Sequence, residues 1–195
     1  MLNNIKIIAL VTLLSSSTLI ANDKFVGASL GYSNLHTKQD NDNVTLVKSD
    51  KQDGYNIDLE MGYNYTEKTD FIISYQKIVH DDTYIDNFIL SFNYKLSKIQ
   101  NFTPYVGASA GYSRLHWDAK PINTLNNTDN DYVSGSSLWG IIMGATKPIN
   151  KNLDLNINYK YQHTNHKTYL ESQFETSTLT HNNYYGLNIG VRWKF

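Results

Sequence analysis

Tyr185-Gly186-Leu187-Asn188-Ile189-Gly190-Val191-Arg192-Trp193-Lys194-Phe195 closes the chain. Tyr185, Leu187, Ile189, Val191, Trp193 and Phe195 occupy every second position, alternating with Gly186, Asn188, Gly190, Arg192 and Lys194. Successive strand side chains point to opposite faces, so a period of two describes a strand with one apolar and one polar face. A helix needs its apolar residues three and four apart and would scatter these six around its circumference.

The same period returns along the chain. Val26, Ala28, Leu30 and Tyr32 alternate with Gly27, Ser29, Gly31 and Ser33; Tyr55, Ile57, Leu59, Met61, Tyr63 and Tyr65 alternate with Asn56, Asp58, Glu60, Gly62 and Asn64. Phe71, Ile73 and Tyr75 lie opposite Ser74 and Gln76, and Phe88, Leu90, Phe92 and Tyr94 opposite Asn87, Ser91, Asn93 and Lys95. A sixth, less regular strand has Trp139, Ile141, Met143 and Ala145 against Gly140, Ile142 and Gly144. A seventh sets Leu153, Leu155, Ile157, Tyr159 and Tyr161 against Asp154, Asn156, Asn158, Lys160 and Gln162. The fifth strand is an echo of the first: residues 26–36, VGASLGYSNLH, return as residues 106–116, VGASAGYSRLH. Met61-Gly62 then answers Met143-Gly144, and Tyr75-Gln76 answers Tyr161-Gln162. A spacing this long is no solenoid repeat and fits two half-barrels of about four strands each, with chance similarity among Gly- and Ser-rich strands as the alternative.

Connections alternate in character. Thr66 to Thr69, Leu96 to Asn101 and Lys147 to Asn152 are short and polar, like periplasmic turns; Lys38 to Lys51, Trp117 to Val133 and Thr164 to His181 are long and rich in Asn, Asp and Thr, like extracellular loops. The connection at His80 to Thr83 breaks the rule by being short. The pattern predicts an all-β, closed antiparallel up-and-down barrel of about eight strands.

Bulk composition agrees. The 195 residues suit one domain, and a net charge of −1 offers neither a basic surface for nucleic acid nor an acidic tail. With no cysteine, a disulfide scaffold, a thiolate metal site and a cysteine-anchored lipoprotein are all excluded. Tyrosine, present 15 times, gathers where one end of a side chain is apolar and the other wet. Mean hydropathy of −0.44 would suit a soluble protein, but alternating faces cancel in such an average.

The N-terminus has the layout of a secretory signal peptide: Lys6, a short apolar core from Ile7 to Leu14, then Ser15, Ser16, Ser17 and Thr18 leading to Ala21. We expect residues 1–21 to be removed on export and residues 22–195 to form the barrel. Leu19 is large for its place two before Ala21. The apolar core is well short of the roughly 20 residues a spanning helix needs, and no later run reaches that length, so membrane crossing must use strands.

A soluble barrel or a β-sandwich would alternate too, with its apolar faces turned inward. Two observations favour the inverted, membrane arrangement. The polar face is Gly, Ser, Asn and Gln with a few charges of both signs, which suits a filled lumen. The apolar faces begin or end on Tyr32, Tyr63, Tyr65, Tyr94, Tyr161 and Trp193, which reads as interfacial girdles.

The opening Phe25-Val26-Gly27-Ala28-Ser29-Leu30-Gly31-Tyr32, the Pro104-Tyr105-Val106-Gly107-Ala108 start of the fifth strand, and the closing strand together resemble the small outer-membrane β-barrel superfamily of OmpA-type, OmpX-type and opacity-type proteins, often labelled porin family. The resemblance covers the mature chain and implies a Gram-negative outer-membrane location among lipids and lipopolysaccharide. It also implies that the barrel-assembly machinery reads Tyr185, Leu187, Ile189, Val191, Trp193 and Phe195. The peptidoglycan-binding domain of full-length OmpA relatives is expected to be absent. The motifs specify a fold and an export route, not a substrate.

An eight-stranded barrel is just wide enough for side chains to fill it. Gly27, Ser29, Gly31 and Ser33 leave space on the first strand, so Asp58 and Glu60 on one side can reach toward Arg192, Lys160 and Asp154 on the other. Buried charges need partners, and we expect these five to form a lumen charge network, either static or gating as in OmpA-type relatives. His163-Thr164-Asn165-His166 distantly resembles the His-x-Ser motif of lipid A deacylases, but Asn165 has no nucleophilic hydroxyl. His36, His80, His116, His166 and His181 fall in or near predicted loops, where solvated side chains are the ordinary reading, and no ligand spacing supports a metal. No cofactor is expected. Asn126-Asn127-Thr128 fits a glycosylation triplet that means little in this setting. The expected role is a non-enzymatic surface, structural or adhesive one through long loops that meet a surface ligand; the alternative is a narrow channel for ions or very small solutes, and a lipid A-modifying enzyme is a remote third.

Overall fold

The computed structural model describes residues 24–41, 44–80, 83–117, 133–171 and 176–195. The signal peptide read over residues 1–21 and the Asn126-Asn127-Thr128 triplet lie outside them. Eight strands follow in order: β1 (Lys24–Asn41), β2 (Val44–Thr66), β3 (Thr69–Val79), β4 (Thr83–Lys95), β5 (Thr103–Trp117), β6 (Val133–Pro148), β7 (Leu153–Glu171) and β8 (Thr176–Lys194). Each pairs antiparallel with the next, and β8 returns to β1 with Trp193 opposite Val26 and Leu187 opposite Tyr32. Closure gives every strand a partner on both sides, which is the condition for crossing a bilayer with strands.

The apolar face is outside. Leu30 and Leu90 are 61% and 62% exposed while Ser33, further along β1, and Ile89, next to Leu90, are buried, and the same alternation runs through Ile57, Leu59, Ile141, Leu187 and Ile189. In water such a surface would be a severe aggregation hazard; in hydrocarbon it is the solvated side. Toward one end every strand closes its outward apolar series on an aromatic ring: Tyr32, Tyr55, Tyr75, Phe88, Tyr112, Trp139, Tyr161 and Tyr185. At the other end Tyr65, Phe71, Phe92, Tyr94, Trp193 and Phe195 form the second belt. That second end carries both the short turns and the closed seam, where the Phe195 amide donates to the Lys24 carbonyl. Short turns are periplasmic in barrels of this kind.

The turn after β4 is a tight one: Ile99 and Phe102 exchange backbone hydrogen bonds of 2.9 and 3.0 Å, and Gln100 takes φ 55°. Two expected loops are largely strand. β1 continues to Asn41 and β2 resumes at Val44, while β7 runs to Glu171 and β8 starts at Thr176. Above the aromatic belt both faces of a ladder can be polar, so these extensions lose the period-two signature without losing their hydrogen bonds.

Candidate functional site in the barrel lumen

Side chains fill the lumen in layers. At the periplasmic end Phe25 on β1 and Tyr105 on β5 project inward beside glycines of the next strand, Gly62 and Gly144, their register partners. A Cβ on either glycine would run into the facing ring, so glycine is required where the two aromatics lie. The Arg192 guanidinium lies 4.9 Å from the Phe25 ring and 5.5 Å from the Tyr105 ring. The Tyr105 hydroxyl donates to Asn156 at 2.9 Å.

Charge pairs occupy the next layer. Gly27 lies between Glu60 on β2 and Arg192 on β8 in register, and its missing side chain lets the two meet. Arg192 donates twice to Glu60, through Nε at 2.5 Å and Nη2 at 3.3 Å. This fork geometry is the strongest form of the interaction. Lys160 on β7 crosses the lumen to Asp58, which also accepts from the Ser29 hydroxyl at 3.3 Å. Both members of the Asp58–Lys160 pair are buried. Asp154 stands apart from these four: its partner is Lys194, 2.8 Å away near the periplasmic mouth. Arg192, although register neighbour of Asp154, is turned to Glu60. A fourth pair, Lys95 with Asp70 at 2.6 Å, was not among the candidates from sequence. Its signal was available, since Asp70 and Lys95 flank the polar faces of β3 and β4.

Amides and hydroxyls continue the filling. Asn188 donates to Asn158 at 3.1 Å, Asn87 to Gln76 at 2.9 Å, and Gln76 to the Tyr184 hydroxyl at 3.4 Å. Between the ion pairs remains a cavity of about 10 Å³ lined by Glu60, Ser74, Asn93, Tyr105, Lys160 and Arg192, room for about one water.

The extracellular end of the lumen holds an apolar cluster. Leu35, Ile78, Ile85, Leu115 and Tyr184 form a buried cluster with Trp117 packed against it. Inside this end lie His80, His166 and His181, all buried, which corrects their reading as solvated loop residues. The extension of β7 and β8 carries the last two inward, opposite one another in the ladder. His166 Nε2 is 2.8 Å from the Ser113 hydroxyl, and the His181 ring packs edge-on to Trp117. Both sit beyond the aromatic belt, and burial lowers both to about 4, with His166 and His80 adding to the effect at His181. Among the described residues no group of three or more His, Asp or Glu is placed to hold a metal ion. His116 is on the outer wall, stacked on Tyr84. His163 also faces outward, its Nδ1 2.8 Å from Asn183, and Asn165 is exposed on the same face.

The chain matches the outer membrane protein beta-barrel domain family over residues 7–195 and belongs to it. No curated protein matches it. Among solved structures it is similar to Neisserial surface protein A, with 19% identity and a TM-score of 0.63, covering 88% of this chain and 97% of that one. It is also similar to OprG of Pseudomonas aeruginosa (11% identity, TM-score 0.54, covering 89% and 97%). The N-terminal barrel domain of OprF from the same organism gives 16% identity and a TM-score of 0.52, covering 90% and 100%. At these identities the likeness is one of fold.

Proposed function

We propose that this protein is a non-enzymatic surface barrel that works through its extracellular hairpins, with a structural or adhesive role toward a surface ligand, and not through a pore. The observation that carries this reading is the double closure of the lumen. Phe25, Arg192, Glu60 and Tyr105 close it near the periplasmic side, and Leu35, Ile78, Ile85, Leu115 and Tyr184 near the other. An ion entering such a stack would leave water without a continuous set of replacement partners. The tall β1–β2 and β7–β8 hairpins supply contact area outside the membrane.

A narrow ion pathway is the second reading, favoured by the charged pairs around the small cavity, since Lys160 and Arg192 both line it together with Glu60. Planar-bilayer recording of the refolded protein separates the two. The proposed function predicts no stepwise conductance; steady single-channel openings would replace it with the second reading.

A further inference from the structure

The β6–β7 seam loses its ladder at the extracellular end. Pairing stops at Trp139 opposite His163, yet β6 runs on to Val133 beside β5 and β7 to Glu171 beside β8. Beyond that point two serine hydroxyls stand in for the ladder: Ser136 accepts the Asn165 amide at 2.8 Å and Ser134 the Lys167 amide at 3.2 Å. On the other side of the extension β8 keeps its ladder to β1 as far as Asn41, so the β6 side is the weaker one. The ladders of β8 with β1 and with β7 both shift register between Asn183 and His181, and such irregularities bend a strand locally.

At that bend sit His166 and His181, both fully buried and opposite one another in the ladder. Thr37 of β1 faces His181 from the other side. His166 Nε2 is 2.8 Å from the Ser113 hydroxyl of β5, and neither ring nitrogen of His181 has a hydrogen-bond partner among the described residues. A third imidazole, that of His80 after β3, lies over Gly54 of β2. Tyr184 is the inward titratable group of the apolar cluster beside them. Asp58 and Glu60 belong to a deeper layer and are held by Lys160 and Arg192. The other charged and titratable side chains of the neighbouring strands turn outward: His36 and Lys38 on β1, Lys51 and Asp53 on β2, Lys77 on β3, Asp86 on β4, Arg114 and His116 on β5, His163 and Lys167 on β7. Of these, Asp53 acts on His80. Neither His166 nor His181 has an ion-pair partner among the described residues.

We propose that His166 and His181 make the β7 edge an acid-released strap: protonation of the two rings drives it away from β6 and opens the extracellular closure of the lumen. A first proton creates a charge among apolar side chains with no counter-ion, and a second meets the first across the ladder. Both charges reach water by parting the seam that two hydroxyl bonds hold. Burial lowers both rings to about 4, against the pull of the Ser134 backbone on His166, so the strap is shut at neutral pH. Opening takes up two protons, so the open fraction can rise by up to about 100-fold per pH unit between the buried and solvated values. The inference goes beyond the surface role proposed above and holds whatever ligand the hairpins meet.

The test uses the chain's lack of cysteine. Thr37, buried beside His181, is replaced by cysteine in the barrel reconstituted in phosphatidylcholine nanodiscs. Its reaction with 4,4′-dithiodipyridine, a thiol reagent that works in acid, is timed from pH 7.5 to pH 4.5. Rates are taken relative to K38C, whose site is exposed. T37C should be protected at pH 7.5, gain at least about ten-fold in relative rate by pH 4.5, and regain protection on return to neutral. The gain should vanish in T37C/H166Q/H181Q and persist in T37C/H116Q/H163Q, whose altered rings face outward. A heat-dependent gel shift retained at each pH shows that the barrel itself is still folded. A flat profile, or fast reaction already at pH 7.5, overturns the proposal. So does a gain that survives H166Q/H181Q, one that is lost in H116Q/H163Q, or one that appears only together with loss of the gel shift.

Discussion

Phe25 and Tyr105 hold equivalent places in the two halves of the barrel, and the Arg192 guanidinium lies against both rings, at 4.9 and 5.5 Å. The internal echo of the sequence thereby acquires a physical meaning. Each half starts with an inward aromatic ring, and each pairs that ring with the glycine of a Met-Gly dipeptide, Gly62 or Gly144. A methyl group on Gly62 would press into the Phe25 ring. The G62A variant should lose about 1–3 kcal/mol through overpacking, measured by urea unfolding in lipid vesicles. Adding F25L should recover part of that loss; a G62A barrel as stable as wild type would show that the ring has other space.

Asp58 and Lys160 pair with each other inside the lumen, and both are buried. Removing one partner leaves a buried uncompensated charge, so K160M should cost about 3–5 kcal/mol. The D58N/K160M double variant should come back close to wild type. A double variant whose cost equals the sum of the D58N and K160M costs would mean that the side chains act independently.

The histidines at the extracellular end give the barrel a pH dependence. His166 and His181 are held at about 4 by burial, whereas in the unfolded chain they titrate near 6.5. Between those values the unfolded chain takes up protons that the folded barrel refuses. Stability present above pH 6.5 should therefore fall on acidification through this window and level off below pH 4, by an amount on the order of a few kcal/mol. A H166Q/H181Q variant should show a flatter profile between pH 7 and pH 4. An unchanged slope in that variant would place the acid sensitivity elsewhere.

Phe195 is exposed, and its backbone amide closes the seam to β1. If its side chain belongs to an assembly signal with Trp193 and Val191, F195S should lower the folded fraction in cells several-fold. Refolding of the purified variant in detergent should remain close to wild type. Equal defects in both settings would assign Phe195 to stability instead of assembly.

The lipid-facing belt was legible because hydrocarbon on one side and a polar lumen on the other enforce strict alternation. Ile57 and Leu59 each have a polar residue on both sides, and Leu90 has Ser91 after it, so period alone places all three on the apolar face. Legibility stops where that constraint stops. Leu35, Ile78, Ile85 and Leu115 are apolar yet inward, because the lumen beyond the aromatic belt has its own apolar cluster. The extensions of β1, β2, β7 and β8 lack a period-two apolar series and resemble loops in sequence. His166 and His181 were misread for that reason: once the strands were cut short, nothing marked these residues as interior. The pairing of Asp154 with Lys194 likewise depends on which way Arg192 turns, a choice that strand spacing leaves open.

The most direct measurement exploits the absence of cysteine. Phe88, Ile89, Leu90, Ser91, Phe92 and Asn93 of β4 are replaced one at a time by a spin-labelled cysteine in the bilayer-reconstituted barrel. Oxygen accessibility, which reports contact with lipid, should peak at 88, 90 and 92 and fall at 89, 91 and 93. The reverse phase, or no alternation, would contradict an apolar-out barrel with a filled polar lumen.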